Sequence, residues 1–270
     1  MRDIIHFSHA NGFPAQAYRK LFGYLEADYQ IGYITAIGHD PRFPVTEGWP
    51  NLIDELILYL EQHYDQPVIA LGHSLGGFLS FFTALRHPDL FKAIVLLDSP
   101  IMGRMKSTML AMAKRFGVMD RITPASACRS RRRDWPSAVD AARFFRDKPL
   151  FRHFDADCLA DYAGHCTIPT ENGRVRLLFE PEIEYLIYCH LPHSYPAWRG
   201  KLRVPAGFLG GRDSHLVHGI DVRNMQRHHG IVCRQLDGGH LFPLEHPQQA
   251  AEQIRQMIRF LLTRDSIQAA

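Results

Sequence analysis

Five consecutive residues, Gly72-His73-Ser74-Leu75-Gly76, carry the strongest chemical signal in this chain. They read G-x-S-x-G, with a short apolar run before them (Val68 to Leu71) and a mostly apolar helical segment after (Leu75 to Arg86). A serine raised on a sharp strand-to-helix turn takes a strained backbone conformation. Side chains two residues to either side would collide across that turn, so both positions favour glycine. The turn also sets Ser74 at a helix N-terminus, where unpaired N–H groups favour negative charge. A glycine-rich turn can exist for packing alone. The strand and helix flanks point instead to a nucleophile.

A serine hydroxyl is a weak nucleophile at neutral pH and needs a base, and the base needs a partner that fixes its tautomer. Of sixteen histidines, His240 is the candidate base: Gly238-Gly239-His240 follows a strand-like run and precedes the final helix. His63, His87, His228 and His229 fall at predicted helix ends, where solvent and the helix dipole account for them. The candidate acid is Asp213, in Gly210-Gly211-Arg212-Asp213 right after the strand-like run at 206–209. A carboxylate there lies on the sheet edge where ligand sites of open α/β sheets form. Asp98, at the end of the Ala93 to Leu97 run, is the competitor; its alternative task is to cap the turn at Ser99-Pro100. A tetrahedral intermediate also needs two amide donors. Leu75 supplies one. The loop His9-Ala10-Asn11-Gly12-Phe13-Pro14 supplies the other, with Asn11 favoured and Phe13 second.

The elements that must position these groups alternate. Apolar runs at 4–8, 30–36, 68–71, 93–97, 206–209 and 231–236 read as strands. Helices are predicted over about 15–27, 49–63, 75–86, 216–229 and 247–263, the second from Leu52, Ile53, Leu56, Ile57 and Leu60 at helical spacing. Such alternation implies a parallel sheet covered on both faces. The rhythm breaks after Pro100 and resumes at Pro205. Residues 1–100 and 202–270 therefore read as the core domain, and 101–201 as a mostly helical cap inserted in it.

Composition is ordinary for a globular chain of 270 residues: 46% hydrophobic, 22% charged and a net charge of +3. That balance makes no general case for nucleic-acid or membrane binding. Five scattered cysteines, an odd number without C-x-x-C spacing, favour reduced thiols. No stretch approaches the ~18 apolar residues of a membrane span, and no leader is apparent; the expected location is cytoplasmic.

With these motifs in order, the chain resembles the α/β-hydrolase superfamily in its small, capped, esterase-like branch. The resemblance rests on residues 9–14, on Gly72-His73-Ser74-Leu75-Gly76-Gly77, on Gly210-Gly211-Arg212-Asp213 and on residues 238–247. It covers about two-thirds of the chain and is weak over the cap. It implies an α/β-hydrolase fold with about six strands, a Ser74-Asp213-His240 triad and no cofactor or metal. The substrate class it implies is a small-molecule carboxylic ester or related acyl compound. Thioester or diketone C–C cleavage on the same triad, and a non-catalytic small-molecule receptor, are the competing functions. The chain begins at the strand that leads to the oxyanion loop, without the family's usual antiparallel hairpin, which leaves a sheet edge available to an oligomer contact.

Trp135, Phe144, Tyr195 and Trp198 are the expected lining of an acyl pocket. The run Arg129, Arg131, Arg132 and Arg133 reads as a solvated face. His215 and His218 lack a metal-site context, and His73 reads as packing.

Overall fold

The computed structural model of the chain describes residues 2–269, with side chains described through residue 264. The first strands are β1 (Asp3–Ser8), β2 (Tyr29–Tyr33), β3 (Val68–His73) and β4 (Phe91–Leu97), and the helices among them are α1 (Arg19–Leu25), α2 (Pro50–His63) and α3 (Leu75–Arg86). The segment that follows holds α4 (Arg104–Arg115), α5 (Met119–Ile122), α6 (Ala125–Arg129), β5 (Asp134–Trp135), α7 (Ala138–Arg146), α8 (Ala156–His165), β6 (Thr167–Pro169), β7 (Val175–Leu177) and α9 (Pro181–Cys189). The chain then returns through β8 (Ala206–Gly211), α10 (Gly219–His229), β9 (Val232–Leu236), α11 (Phe242–Glu245) and α12 (Pro247–Ala269).

Six strands form one sheet in the order β2-β1-β3-β4-β8-β9, and every neighbouring pair is parallel. This is the parallel sheet expected from the alternation, with the six strands that the resemblance to the α/β hydrolases implies. Period-two side-chain direction divides the interior. Ile69 and Leu71 join Phe7, Val95, Leu97 and Leu209 on one face. Val68 and Ala70 join Ile94, Leu96 and Phe208 on the other, beneath Leu52, Leu56 and Leu60 of α2. Both edge strands are five residues long and mostly part-exposed, a form that discourages edge-to-edge pairing.

Local chemistry shifts several boundaries. Residues 15–18 form a 3-10 turn before α1. α10 begins at Gly219, because His218 and Asp221 form a reciprocal N-terminal cap. The inserted segment is less helical than expected: β5, β7 and β6 make a small antiparallel sheet. Its hairpin turns at Gly173, whose φ of +71° suits the residue after Asn172. The insertion is also not a detached lobe. Trp135, Phe145, Phe151 and Tyr162 belong to the same buried cluster as Phe7, Phe13 and Tyr18, so it leans on the loop that follows β1.

Candidate active site

β3 delivers Ser74 at its C-terminal end, with φ 51° and ψ −113°, a costly backbone for a residue with a side chain. The elbow is held on both sides. Ser74 N–H donates to Leu97 O at 3.0 Å, and Ser99 Oγ donates to Ser74 O at 2.8 Å. A Cβ on Gly76 would overlap the backbone of Ser8, and one on Gly72 would overlap the Gly76 carbonyl. The two glycines are therefore needed for close approach of α3 to β1 and of the turn to itself.

His240 Nε2 lies 3.0 Å from Ser74 Oγ, and its Nδ1 lies 2.7 Å from a carboxylate oxygen. That carboxylate is Asp98, not the expected Asp213. Asp98 is fully buried at the end of β4 and takes a left-handed φ of 47°. Its Oδ1 accepts from Gly211 N–H at 2.9 Å and its Oδ2 from Ser214 Oγ at 2.5 Å. With Asp98 accepting from Nδ1–H, Nε2 is free to accept the Ser74 proton. Asp213 borders the cleft, but it is exposed, and its N–H donates to Gly238 O at 3.0 Å. The reason is sheet order: β4 lies between β3 and β8, so its terminus stands next to Ser74. The chain after β8 contributes Ser214 and the Gly211 amide as supports for Asp98.

His73 does more than pack. Its Nε2 donates to the carbonyl of His240 at 2.9 Å, and its Nδ1 accepts from Tyr18 OH at 2.6 Å. Burial first, and the neighbouring His240 second, hold its pKa well below the ordinary histidine value. His73 is thus a neutral strut beneath His240. Glu245 braces the other side, accepting from Gly239 N–H at 2.7 Å.

Leu75 and Asn11 both border the cleft beside Ser74. Phe13 does not fit the donor role given to it as second choice. Its N–H is spent on Ala10 O at 3.0 Å, and its ring packs on Phe151, Phe154 and Tyr162. The loop is fastened at several points. His9 Nδ1–H donates to Ala10 O at 2.8 Å while its Nε2 accepts from Ile37 N–H at 2.7 Å, and burial lowers its pKa to about 4. Asn11 Nδ2 donates to Glu184 O at 3.0 Å. Gly12, at φ +79°, lies against the ion pair of part-buried Arg131 with buried Glu184. Arg131 Nη2 also donates to Tyr162 OH at 2.9 Å, and Tyr162 OH donates to Gly12 O at 3.4 Å. Burial pushes the Glu184 carboxyl up to about 7 against the pull of Arg131. The basic run is thereby divided. Arg129 and Arg133 are exposed, whereas Arg131 is structural. No local signal joins positions 131 and 184.

The cleft encloses about 1090 Å³. Trp49, Phe78, Leu110, Ile187 and Leu191 give it apolar walls around Ser74 and His240. None of the four aromatic residues expected there lines it. Trp135 is 1% exposed and packs with Phe144 and Phe145 inside the insertion. Tyr195 is buried against Phe78, Phe81 and Phe82, and Trp198 packs on the same core. Large aromatic rings serve cores as readily as pockets. Among the described residues, no three His, Cys, Asp or Glu side chains converge to hold a metal ion.

Residues 7–253 match the family model described as "Alpha/beta hydrolase family". A bovine (Bos taurus) (lyso)-N-acylphosphatidylethanolamine lipase is 28% identical over 115 residues, 39% of this chain and 33% of that one. A probable esterase of rice (Oryza sativa subsp. japonica) is 25% identical over 107 residues, 36% of this chain and 38% of that one. The chain thus matches little more than a third of the length of these curated relatives. The solved structure of E-2-(acetamidomethylene)succinate hydrolase superposes with a TM-score of 0.76 at 17% identity, covering 96% of this chain and 92% of that one.

Proposed function

Because this chain belongs to the alpha/beta hydrolase family, we propose that it hydrolyses carboxylic esters or closely related acyl compounds through an acyl-Ser74 intermediate. The observation that carries this is the position of His240, bridging Ser74 Oγ at 3.0 Å and Asp98 Oδ2 at 2.7 Å. His240 Nε2 takes the proton from Ser74 as Oγ attacks the substrate carbonyl. Charge that develops on the carbonyl oxygen is met by the amides of Leu75 and Asn11. The imidazolium, steadied by Asp98, gives its proton to the leaving alkoxide. It then takes one from water, whose attack frees the acid and restores Ser74.

The apolar walls favour an acyl group with appreciable hydrocarbon, and residues 101–201 act as the cap over it. No cofactor enters this scheme. The expected outcome for Ser74→Ala is loss of several orders of magnitude in kcat on p-nitrophenyl esters, with loss of fluorophosphonate labelling. Wild-type rates in that variant, or a folded wild-type protein that takes no label, overturn the proposal. Esters of graded acyl length, run beside thioesters and a vinylogous diketone, define the bond cleaved.

A further inference from the structure

One wall of the cleft is α4, and its outward face is unlike an ordinary surface helix. Lys106 and Leu110 face the cleft. On the outer side Met105, Met109, Met112 and Phe116 are 60%, 63%, 53% and 68% exposed. Their spacing of four, three and four residues puts them in one line along the helix, a stripe roughly 16 Å long at 1.5 Å per residue. Ile122 and Leu216, which line the cleft and are about half exposed, add apolar surface at its mouth. Ile220, also exposed, shares a second hollow of about 240 Å³ with Met105.

The charge around this stripe is one-sided. α4 contains Arg104, Lys106, Lys114 and Arg115 and no acidic residue. Lys106 is paired with Asp221 and Lys114 with Glu47, whereas Arg104 and Arg115 have no acidic partner among the described residues. Helix geometry places both arginines within about a quarter-turn of the stripe. The hollow beside Met105 is lined by Arg104, Arg199, Arg223 and Arg227, with Asp221 its one carboxylate, already bound to Lys106. Arg199 Nε is buried there without a partner. His228, in the same hollow, has its pKa lowered by desolvation and by the nearby Arg199 and Arg227.

We propose that this face docks on an anionic phospholipid surface, with the methionine and phenylalanine side chains seated among the acyl chains, the arginines on the headgroup phosphates, and the cleft mouth at the interface. Charge complementarity and continuity with the cleft select this occupant. A second copy of the chain docked through the same face would set these arginines against one another. The stripe presents flexible knobs at a common height, which a bilayer accepts by depth alone. Among the described residues no helix is long and apolar enough to cross a membrane, so the contact is with the surface. The net charge of +3 conceals it, because acidic residues elsewhere in the chain balance the local excess.

The docking does not depend on hydrolysis, so the test uses Ser74→Ala in the full chain. At about 50 mM salt this protein is expected to co-sediment with vesicles of 3:1 phosphatidylcholine and phosphatidylglycerol and not with pure phosphatidylcholine. Met109→Ser with Phe116→Ser, and separately Arg104→Glu with Arg115→Glu, should each weaken binding tenfold or more. Their thermal melting should remain that of the parent, as the positions are exposed. In the Ser74 background the same pairs should leave hydrolysis of a short water-soluble ester unchanged. Folded protein that ignores anionic vesicles, or binding that neither pair alters, overturns the proposal. So does a concentration-dependent dimer abolished by the Met109 and Phe116 changes, or vesicle-inactive protein that binds a purified acidic acyl carrier protein through this face.

Discussion

At the residue scale the two aspartates near His240 separate cleanly. Asp98 is buried, hydrogen-bonded to His240 and held by Ser214 and the Gly211 amide, whereas Asp213 faces solvent. Asp98→Asn should lower kcat by on the order of 10³–10⁴-fold, because an amide at that position no longer enforces the Nδ1–H tautomer. Asp213→Asn should leave kcat within a few-fold of the parent. Steady-state kinetics on one ester distinguish the two, and the reverse ranking would return the role to Asp213. His73 presents a subtler case. His73→Phe keeps a ring but removes the donor to the His240 carbonyl. The expected result is a loss of about tenfold or more in kcat with little change in KM, as for a misplaced base.

At the element scale the loop after β1 and the inserted segment act as one unit. Gly12 has φ +79°, and a Cβ there would overlap the Glu184 carboxylate. Gly12→Ala should therefore displace the Asn11 amide and lower kcat by roughly 10²-fold, the usual scale for a shift of about an ångström. Arg131→Met leaves Glu184 buried without its counter-ion; breaking one side of a buried pair costs on the order of 3–5 kcal/mol. Chemical denaturation should register that loss. The double change Arg131→Met with Glu184→Leu should recover part of it.

For the whole molecule, buried titratable groups set the response to pH. Burial first, with His63 as the second influence, lowers His6 to about 3. Burial, with His39 adding to it, lowers His9 to about 4, and burial, with His228 and Arg199 adding to it, lowers His229 to about 4. His73 is lowered as well. Each takes up a proton on unfolding between its folded pKa and the ordinary 6.5, so each favours the folded state above 6.5 and loses that contribution as pH falls. Glu55 and Glu184 oppose this: burial raises both to about 7, and their contribution is present at low pH and lost as pH rises through 7. Four histidines outweigh two carboxyls. Denaturation midpoints should fall between pH 6.5 and pH 4, and unfolding at pH 5.5 should be accompanied by net proton uptake. Stability that is flat or rising on acidification would contradict this balance.

Information along the chain was sufficient wherever the structure is local. Residues 68–86 specify strand, elbow and helix through apolar runs and glycine, because a tight turn is built from its own neighbours. The same holds for the six-strand alternation and for Ser74 and His240, which stand at strand ends whatever the strand order. Tertiary structure decided what depends on which elements become neighbours. Asp98 prevails over Asp213 because β4, not β8, is adjacent to β3. Arg131 and Glu184, 53 residues apart in the chain, meet only when the insertion folds back over Gly12. Trp135, Tyr195 and Trp198 have the composition of a pocket, yet packing uses them as core. Aromatic burial looks the same from the sequence in either case, and only the positions of their neighbours tell wall from interior.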